Sequence, residues 1–227
     1  LVGYVGAFAT REVISGYTAF LLGVRSVAPE AVMKVRYTGM WSSYSHEKAC
    51  AQRLIADGCV VIAQHTDTIG PAVACEEAAG DRPLIHVGYN QSMIDVAPTT
   101  SLTSTRVNWT PYITGAVGAL LNGRPIEKYV AAETHGNDMS AGFDYGWVEV
   151  LELNKHVAAE GTQEAIDKEV DAFRRGGVTV FQGNYTGVNP RDPGDTCDLS
   201  KGYQENDKFS APTFGYILED VVEVLRN

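Results

Sequence analysis

The first ninety residues alternate short apolar runs with stretches in which apolar side chains recur three and four positions apart. The runs predict four β-strands, at Val2–Ala7, Met33–Tyr37, Cys59–Ala63 and Leu84–Val87. The periodic stretches predict three helices, the first from Val13 to Val24, then His46–Ala56 and Pro71–Ala79. Three successive β-α-β units require right-handed crossovers. The sequence therefore predicts an α/β fold, a parallel sheet with helices on both faces.

The pattern is less regular after residue 98. We predict short strands at Ser101–Thr103, Trp147–Leu153 and Val178–Phe181, and helices at Pro111–Leu121 and Gln163–Arg174. Residues Gly183–Asn206 are rich in Gly, Pro, Asn and Asp, which is typical of an ordered, turn-rich loop. The apolar segment Ile217–Leu225 is expected to pack back on the body of the protein.

The charge and composition of the chain narrow the classes of partner. The formal net charge is −10, with 44% hydrophobic and 20% charged residues, an ordinary balance for a globular protein. An acidic protein repels phosphate backbones and anionic membrane surfaces, so no nucleic acid polymer is expected as a partner. The absence of any run of 18 apolar residues predicts no transmembrane helix. The chain begins within a predicted strand and without Met, so a targeting segment would lie outside this sequence.

The four cysteines match no zinc-site spacing and include no C-x-x-C pair. We interpret Cys50, Cys59, Cys75 and Cys197 chiefly as small hydrophobic side chains, and a disulfide stays open. The sequence suggests no metal site and no cofactor. Asp192, Asp195 and Asp198 are spaced too evenly for an EF-hand loop, so we favour a solvated turn over a calcium site.

Candidate binding residues follow the ends of the predicted strands. In open parallel sheets, ligands bind outside the carboxyl ends of the strands. The side chains at those positions are aromatic rings, amides, a histidine and a carboxylate, namely Phe8, Trp41, Gln64, His65, Asp67, Tyr89, Asn90 and Trp109. This set contains no lysine, and it suits a flat, neutral ligand held by stacking, at ~1–3 kcal/mol per base, and by hydrogen bonds to a carboxylate, at ~1.5–3 kcal/mol.

Structural roles for four of these residues stay open. Phe8 and Trp109 could be core aromatics, and His65 could be a turn histidine whose hydrogen bonds are satisfied locally. Asp67 could cap the following helix, because Asp is favoured at the N-cap. The argument for binding is that all of these residues converge on one edge of the sheet.

Several segments together resemble the basic membrane protein family, the substrate-binding lipoproteins of ABC importers that include purine nucleoside receptors. The matching segments are Val2–Phe8, Glu12–Ile14, Gly23–Pro29, Ala63–Asp67, His86–Tyr89, Leu102–Ser104, Asn108–Tyr112 and Phe181–Pro190. The resemblance implies a type I periplasmic-binding-protein fold, with two α/β lobes, a hinge and a ligand in the interlobe cleft. It also implies a non-catalytic, lipid-anchored extracytoplasmic protein whose partners are a small molecule and an ABC permease.

Members of that family usually carry about a hundred further residues before the equivalent of Leu1, which build most of the first lobe. We therefore expect one nearly complete lobe plus part of the second, with an N-terminal lobe segment as a further partner. The expected division is a ligand-binding lobe at 1–98, a hinge crossing and partial second lobe at 99–150, and a return to the first lobe with a C-terminal tail at 151–227.

Departures from the family's nucleoside receptors narrow the expected ligand. Asn90 stands where those receptors have an Asp, Arg106 or Val107 lies near a lysine position, and Gly16 aligns near a stacking aromatic. The resemblance therefore implies a purine base or nucleoside, with a free base such as adenine favoured.

Two other function classes stay open. The same fold serves as a ligand-sensing ectodomain of a receptor. A nucleoside hydrolase could use His65, Asp67 and Asp95 for acid–base chemistry. Because the chain has no Gly-x-Ser-x-Gly elbow, P-loop or Rossmann glycine fingerprint, we expect a binding protein and not an enzyme.

Overall fold

The computed structural model describes residues 1–80, 83–136, 138–205 and 209–225. The first part of the chain forms strands β1 (Val2–Gly6), β2 (Met33–Tyr37), β3 (Val61–His65) and β4 (Ile85–Tyr89), and helices α1 (Arg11–Arg25), α2 (Tyr44–Ala56) and α3 (Gly70–Ala78). Each element lies within a few residues of its predicted range. The predicted series of β-α-β units is therefore confirmed.

The second part of the chain contains shorter strands and two long helices. In chain order it forms β5 (Ser101–Val107), α4 (Thr110–Leu121), β6 (Glu133–His135), β7 (Asp138–Ser140), β8 (Val148–Val150), α5 (Thr162–Arg174), β9 (Thr186–Asn189), β10 (Asp192–Asp198), β11 (Ile217–Leu218) and β12 (Val222–Leu225). Single turns of 3-10 helix occur at Ile126–Lys128 and Leu199–Lys201. Both predicted helices of this region are present.

Two predictions for the C-terminal part were wrong. Val178–Phe181 is not a strand, because Phe181 makes only an isolated bridge to Tyr203 and its ring stacks on Phe214 at 4.2 Å. Within Gly183–Asn206, the expected loop, β9 and β10 form an antiparallel hairpin that β11 extends. The sequence did not predict this hairpin because its strands are rich in turn residues and lack apolar alternation. The strands pair through backbone hydrogen bonds, which do not require such alternation.

The main sheet has seven strands in the order β12-β2-β1-β3-β4-β5-β8. All neighbours in the sheet are parallel except β8, which is antiparallel to β5 at one edge. The other edge is formed by β12, so the C-terminal segment returns to the body as predicted. The carboxyl ends of β1 to β5 therefore lie side by side along the border of the sheet where these strands end, which we call its carboxyl edge.

Hydrophobic side chains fill both faces of this sheet. Val2 and Tyr4 pack against the α1 side with Tyr17 and Leu21, whereas Val5 packs on the α2 and α3 side. The alternation follows from the two-residue period of a strand. The sheet with helices on both faces is thus confirmed.

The cysteines are free thiols. Cys50, Cys59 and Cys75 are buried on the α2 and α3 side, where burial raises the pKa of each thiol, that of Cys75 to about 12. They pack as small hydrophobic residues. Cys197 is partly buried in β10.

The division of the chain at residue 98 stays a prediction. Both β5 and β8 continue the sheet that β1 to β4 begin, whereas α4 buries only Ala119 and α5 buries no residue.

Across the described ranges, no helix is long and apolar enough to cross a membrane.

Candidate ligand-binding site

Four rings at the carboxyl ends of four adjacent parallel strands form a continuous row. The ring centroids of Phe8 and Trp41 are 6.0 Å apart, those of Trp41 and His65 are 5.8 Å apart, and those of His65 and Tyr89 are 4.6 Å apart. Each ring belongs to a different strand end, after β1, after β2, at the end of β3 and at the end of β4. We call these four residues the aromatic row. The four strands are neighbours in the sheet, in the order β2-β1-β3-β4, and they bring the rings together because parallel strands end at the same edge.

The four residues of the row differ in exposure, and His65 is the most buried of them. The Phe8 side chain is 37% exposed, Trp41 and Tyr89 are partly buried, and His65 is only 8% exposed. Burial lowers the pKa of His65 from 6.5 to about 4, so the imidazole is neutral near pH 7. Its Nε2 atom lies 3.9 Å from the Glu12 carboxylate. At neutral pH, this contact is therefore a polar contact to a neutral ring and not an ion pair.

Carboxylates flank the row. Asp67 is exposed, and its pKa is raised by partial loss of solvation and by the nearby charge of Glu47. Burial, together with the charges of Glu12 and Asp67, raises the pKa of Tyr89. The Tyr89 hydroxyl is therefore protonated and available as a donor, and the site is electrostatically negative.

Asp67 does not cap the following helix. The N-cap of α3 is Ile69, which forms no side-chain cap bond. The backbone N–H of Asp67 instead donates to the Trp41 carbonyl at 2.9 Å, joining the loop after β3 to the loop after β2. The Asp67 carboxylate is therefore left facing solvent at the edge where the rings lie.

Gln64 holds the loop after β3 in place. It is buried, and its Nε2 donates to the carbonyls of Thr66 and Thr68, each at 2.9 Å. Since both amide hydrogens are used, the Oε1 atom must accept from His86 Nε2 at 2.9 Å. The expectation that Gln64 offers its amide to a ligand is therefore corrected: its polar atoms are occupied in holding the loop that carries Asp67.

The hydrogen bond from His86 also fixes the tautomer of that residue. Burial lowers the pKa of His86 to about 3, so the ring is neutral with its hydrogen on Nε2. The Nδ1 atom then accepts from Ser101 Oγ at 3.5 Å. Sequence reasoning missed this supporting role, although His86 lies within the predicted strand Leu84–Val87.

Asn90 closes the end of β4 in a left-handed conformation. Its φ angle is 64°, its backbone N–H donates to the Thr105 carbonyl at 2.8 Å, and its side chain hydrogen-bonds to Tyr89. Asn tolerates this conformation better than most residues. The exposed Asn90 side chain therefore lies beside the row and orients the Tyr89 hydroxyl.

Trp109 lies at the same edge, after β5, but apart from the aromatic row. It is 65% exposed, which excludes a role as a core aromatic. It lines a cavity of about 630 Å³ with Tyr112, Met139 and Trp147. In the described part of the chain, its ring contacts none of the four rings of the row. The structure thus brings together the other ligand-facing candidates and separates Trp109 from them.

Gly16 of α1 allows the helix to approach the row closely. A Cβ atom at this position would lie 2.9 Å from His65 Nδ1 and 3.3 Å from the Tyr4 hydroxyl. A larger side chain at position 16 would therefore displace His65.

Glu12 is a site residue that sequence reasoning missed as a candidate. It lies in the first turn of α1, the helix that follows β1, and that position was the available signal. It also lines a polar cavity of about 620 Å³ between α1 and the C-terminal hairpin.

Nothing in the described residues groups three potential metal ligands. The carboxylates of Asp192, Asp195 and Asp198 each accept from different neighbours: the Gly194 N–H, the Asn189 amide with the Tyr216 hydroxyl, and the Ser200 N–H. These contacts account for the three aspartates as turn and hairpin residues.

Comparison with known proteins identifies the family. The family model described as ABC transporter substrate-binding protein PnrA-like (Bmp) matches residues 1–178. The chain belongs to this family. A purine-binding protein of Brucella abortus is 35% identical over 123 residues, which cover 54% of this chain and 34% of that protein. A protein of Haloferax volcanii provisionally named as an ABC transporter glucose-binding protein is 37% identical over 122 residues, covering 54% of this chain and 30% of that protein.

Solved structures agree on the fold. A solute-binding protein of an ABC transporter system from Conexibacter woesei superposes with a TM-score of 0.59 at 14% identity, covering 78% of this chain and 55% of that one. A transcriptional activator of the comK gene from Bacillus halodurans superposes with a TM-score of 0.58 at 21% identity, covering 78% and 57%. The matched segments thus amount to about a third of the length of the curated relatives and somewhat over half that of the structures.

Proposed function

We propose that this chain is the ligand-binding lobe of an extracytoplasmic, lipid-anchored substrate-binding protein of an ABC importer, and that it binds a purine base, adenine in particular. The observation that carries the proposal is the aromatic row: four rings in sequence, 4.6 to 6.0 Å apart, flanked by carboxylates at the carboxyl edge of a parallel sheet. The protein binds and releases its ligand without chemical change.

The chemistry of the row suits a flat neutral heterocycle. Phe8 is exposed and Trp41 is partly exposed, and their rings offer stacking, which contributes ~1–3 kcal/mol per base. Asp67 accepts from an exocyclic amine or a ring N–H, and the protonated Tyr89 hydroxyl donates to a ring nitrogen. Because Glu12 and Asp67 make the site negative, a phosphorylated ligand is repelled.

The other half of the site is expected from the remainder of a longer protein. The matches cover only about a third of the curated relatives, one of which is named for purine binding. A second lobe closing over the row would bury the ligand in an interlobe cleft, and the closed form would be recognised by an ABC permease. Closure draws its energy from the ligand's higher affinity for the closed state.

Calorimetry on the ligand-stripped protein with both lobes present tests the proposal. The titrants are adenine, guanine, adenosine, AMP and glucose. We expect saturable heat with adenine, weaker binding of adenosine and none of AMP. Absence of heat with all purines, or saturable heat with glucose alone, would overturn the purine assignment.

A turnover assay separates binding from hydrolysis. Adenosine incubated overnight with the protein should be recovered intact by chromatography, because the row offers a neutral His65 and no positioned nucleophile. Release of adenine at a rate proportional to protein concentration would show a hydrolase instead.

A further inference from the structure

A buried carboxylate lies beneath the two loops that carry Trp41 and Asp67. Glu47, near the start of α2, is 0% exposed. Its Oε1 atom accepts from the Ser43 backbone N–H at 2.9 Å, and its Oε2 atom accepts from the Thr68 backbone N–H at 3.1 Å. Ser43 follows Trp41 in the loop after β2, and Thr68 follows Asp67 in the loop after β3. One side chain therefore joins both loops.

Two further contacts show that these loops are held at a fixed separation. The Asp67 N–H donates to the Trp41 carbonyl at 2.9 Å. At Gly70, the first residue of α3, a Cβ atom would lie 2.7 Å from the Tyr44 carbonyl oxygen, so the starts of α2 and α3 are in close contact. The Glu47 bridge therefore joins loops that also contact each other at Trp41 and Asp67.

Burying the Glu47 carboxylate costs free energy, and the contacts that it makes must offset this cost. A buried carboxylate without partners is strongly unfavourable. Here two charge-assisted N–H bonds and the amino end of α2 stabilise the negative charge. An apolar side chain could fill the same volume without this cost, but it could not bond two loops at once.

We propose that Glu47 is the positioning residue of the ligand site: its carboxylate sets the distance between the ring of Trp41 and the carboxylate of Asp67. The ligand part of this inference rests on the proposed function, whereas the positioning of the loops does not. Glu47 contacts no ligand itself. Its negative charge also acts on Asp67, and the charge of Asp67 acts in turn on Tyr89.

The test compares Glu47→Gln with the matched control Glu76→Gln. The glutamine at position 47 keeps one acceptor but turns an NH₂ group toward a backbone N–H, so one of the two bonds is lost. Glu76 likewise accepts from a backbone N–H, that of Thr99, and from the hydroxyls of Thr99 and Thr100. Those contacts lie near the start of β5, at the opposite edge of the sheet from the aromatic row.

Amide hydrogen exchange gives a readout that needs no ligand. We expect exchange to rise at least tenfold in Glu47→Gln at the Asp67 amide and at whichever of the Ser43 and Thr68 amides loses its acceptor, and to stay unchanged at all three in Glu76→Gln. Unchanged exchange at all three amides in Glu47→Gln, or an equal rise in both variants, overturns the proposal.

Adenine affinity provides the second readout. We expect Glu47→Gln to weaken adenine binding about tenfold and to move the acid midpoint of binding to lower pH, because Asp67 loses a neighbouring negative charge. If the unmodified protein does not bind adenine, the proposed function fails, and the exchange measurement still decides the role of Glu47. Wild-type affinity with an unmoved midpoint in Glu47→Gln contradicts the role.

Glu47→Asp covers the case in which Glu47→Gln does not fold. The aspartate keeps the charge but is one methylene shorter, so it reaches only one of the two donors. We expect faster exchange at Thr68 and an affinity between those of the wild type and Glu47→Gln. Exchange and affinity equal to the wild type would overturn the proposal.

Discussion

The part of the chain up to Pro98 and the part after it use similar apolar sequences with different results. In the first part, Leu54 and Ile62 are 0% exposed on one face of the sheet, and Tyr17 is 0% exposed on the other. In the second part, α4 is apolar around most of its circumference, yet Leu120 and Leu121 are 71% and 82% exposed. A helix that is hydrophobic on all sides is normally buried. The contrast shows that the local pattern of apolar residues determines whether a segment is a helix or a strand. Whether its side chains are buried depends on which other parts of the protein pack against it.

The same contrast separates two tryptophans at one edge of the sheet. The Trp41 ring contacts the rings of Phe8 and His65, and the carbonyl of Trp41 accepts from the Asp67 backbone N–H. Trp109 is mostly exposed beside the start of α4 and lines a different cavity. A ring fixed by neighbours is a better stacking surface than one free to move, because less conformational entropy is lost on binding.

The largest expected effect compares a core leucine with an exposed one. Leu54→Ala should lower the free energy of unfolding by ~2–5 kcal/mol, because it leaves a cavity in a packed core. Leu120→Ala should change it by less than ~0.5 kcal/mol, as exposed substitutions usually do. Urea unfolding of the two variants measures both. A large loss for Leu120→Ala would show that α4 is covered in solution and would end the contrast.

The pH dependence of stability should reflect the buried histidines of the first part. The pKa values of His65 and His86 are lowered from 6.5 to about 4 and about 3. Their stabilising contribution is therefore complete above pH 6.5 and is lost as the pH falls through this range, because the unfolded chain binds protons that the folded chain does not. The free energy of unfolding should fall steeply from pH 6.5 to pH 4. His86→Gln, which can still donate to Gln64, should show a shallower decline, and an equal slope would contradict this assignment.

The two tryptophans should differ in their effect on ligand binding. Trp41→Ala should weaken adenine binding at least tenfold, since ~1–3 kcal/mol of stacking is removed. Trp109→Ala should weaken it less than threefold, and the melting temperature of the empty protein should hardly change because the ring is exposed. Titration calorimetry and thermal unfolding of both variants measure this. Equal losses of affinity would mean that the ligand extends from the aromatic row to the Trp109 cavity.

The smallest expected effect concerns the charge of Asp67. Its pKa is raised, so adenine binding should weaken as the pH falls, beginning at a higher pH than for an ordinary aspartate. Asp67→Asn should bind adenine several-fold more weakly at pH 7 and should lose this acid dependence. Affinity measured from pH 7 down to pH 4.5 tests it, and an identical acid profile in the variant would assign the titration to another group.

Much of the candidate site could be predicted because parallel strands share an edge. Once β1 to β4 are recognised, Phe8, Trp41, His65 and Tyr89 must lie near one another. The pattern could not show that Gln64 turns inward, because an amide after a strand is equally compatible with a ligand contact and with a loop support. Its direction was decided by the two carbonyls and the histidine within reach.

Up to Pro98, the sequence alone determined the alternation of strands and helices, the parallel sheet and the carboxyl edge where aromatic side chains collect, because these follow from periodicity and from the handedness of β-α-β crossovers. Only the tertiary structure decided which of those side chains touch, which polar groups are already satisfied, and that a carboxylate on α2 joins two loops. Such contacts depend on distances between segments far apart in the chain, and these distances are set by packing, not by local pattern.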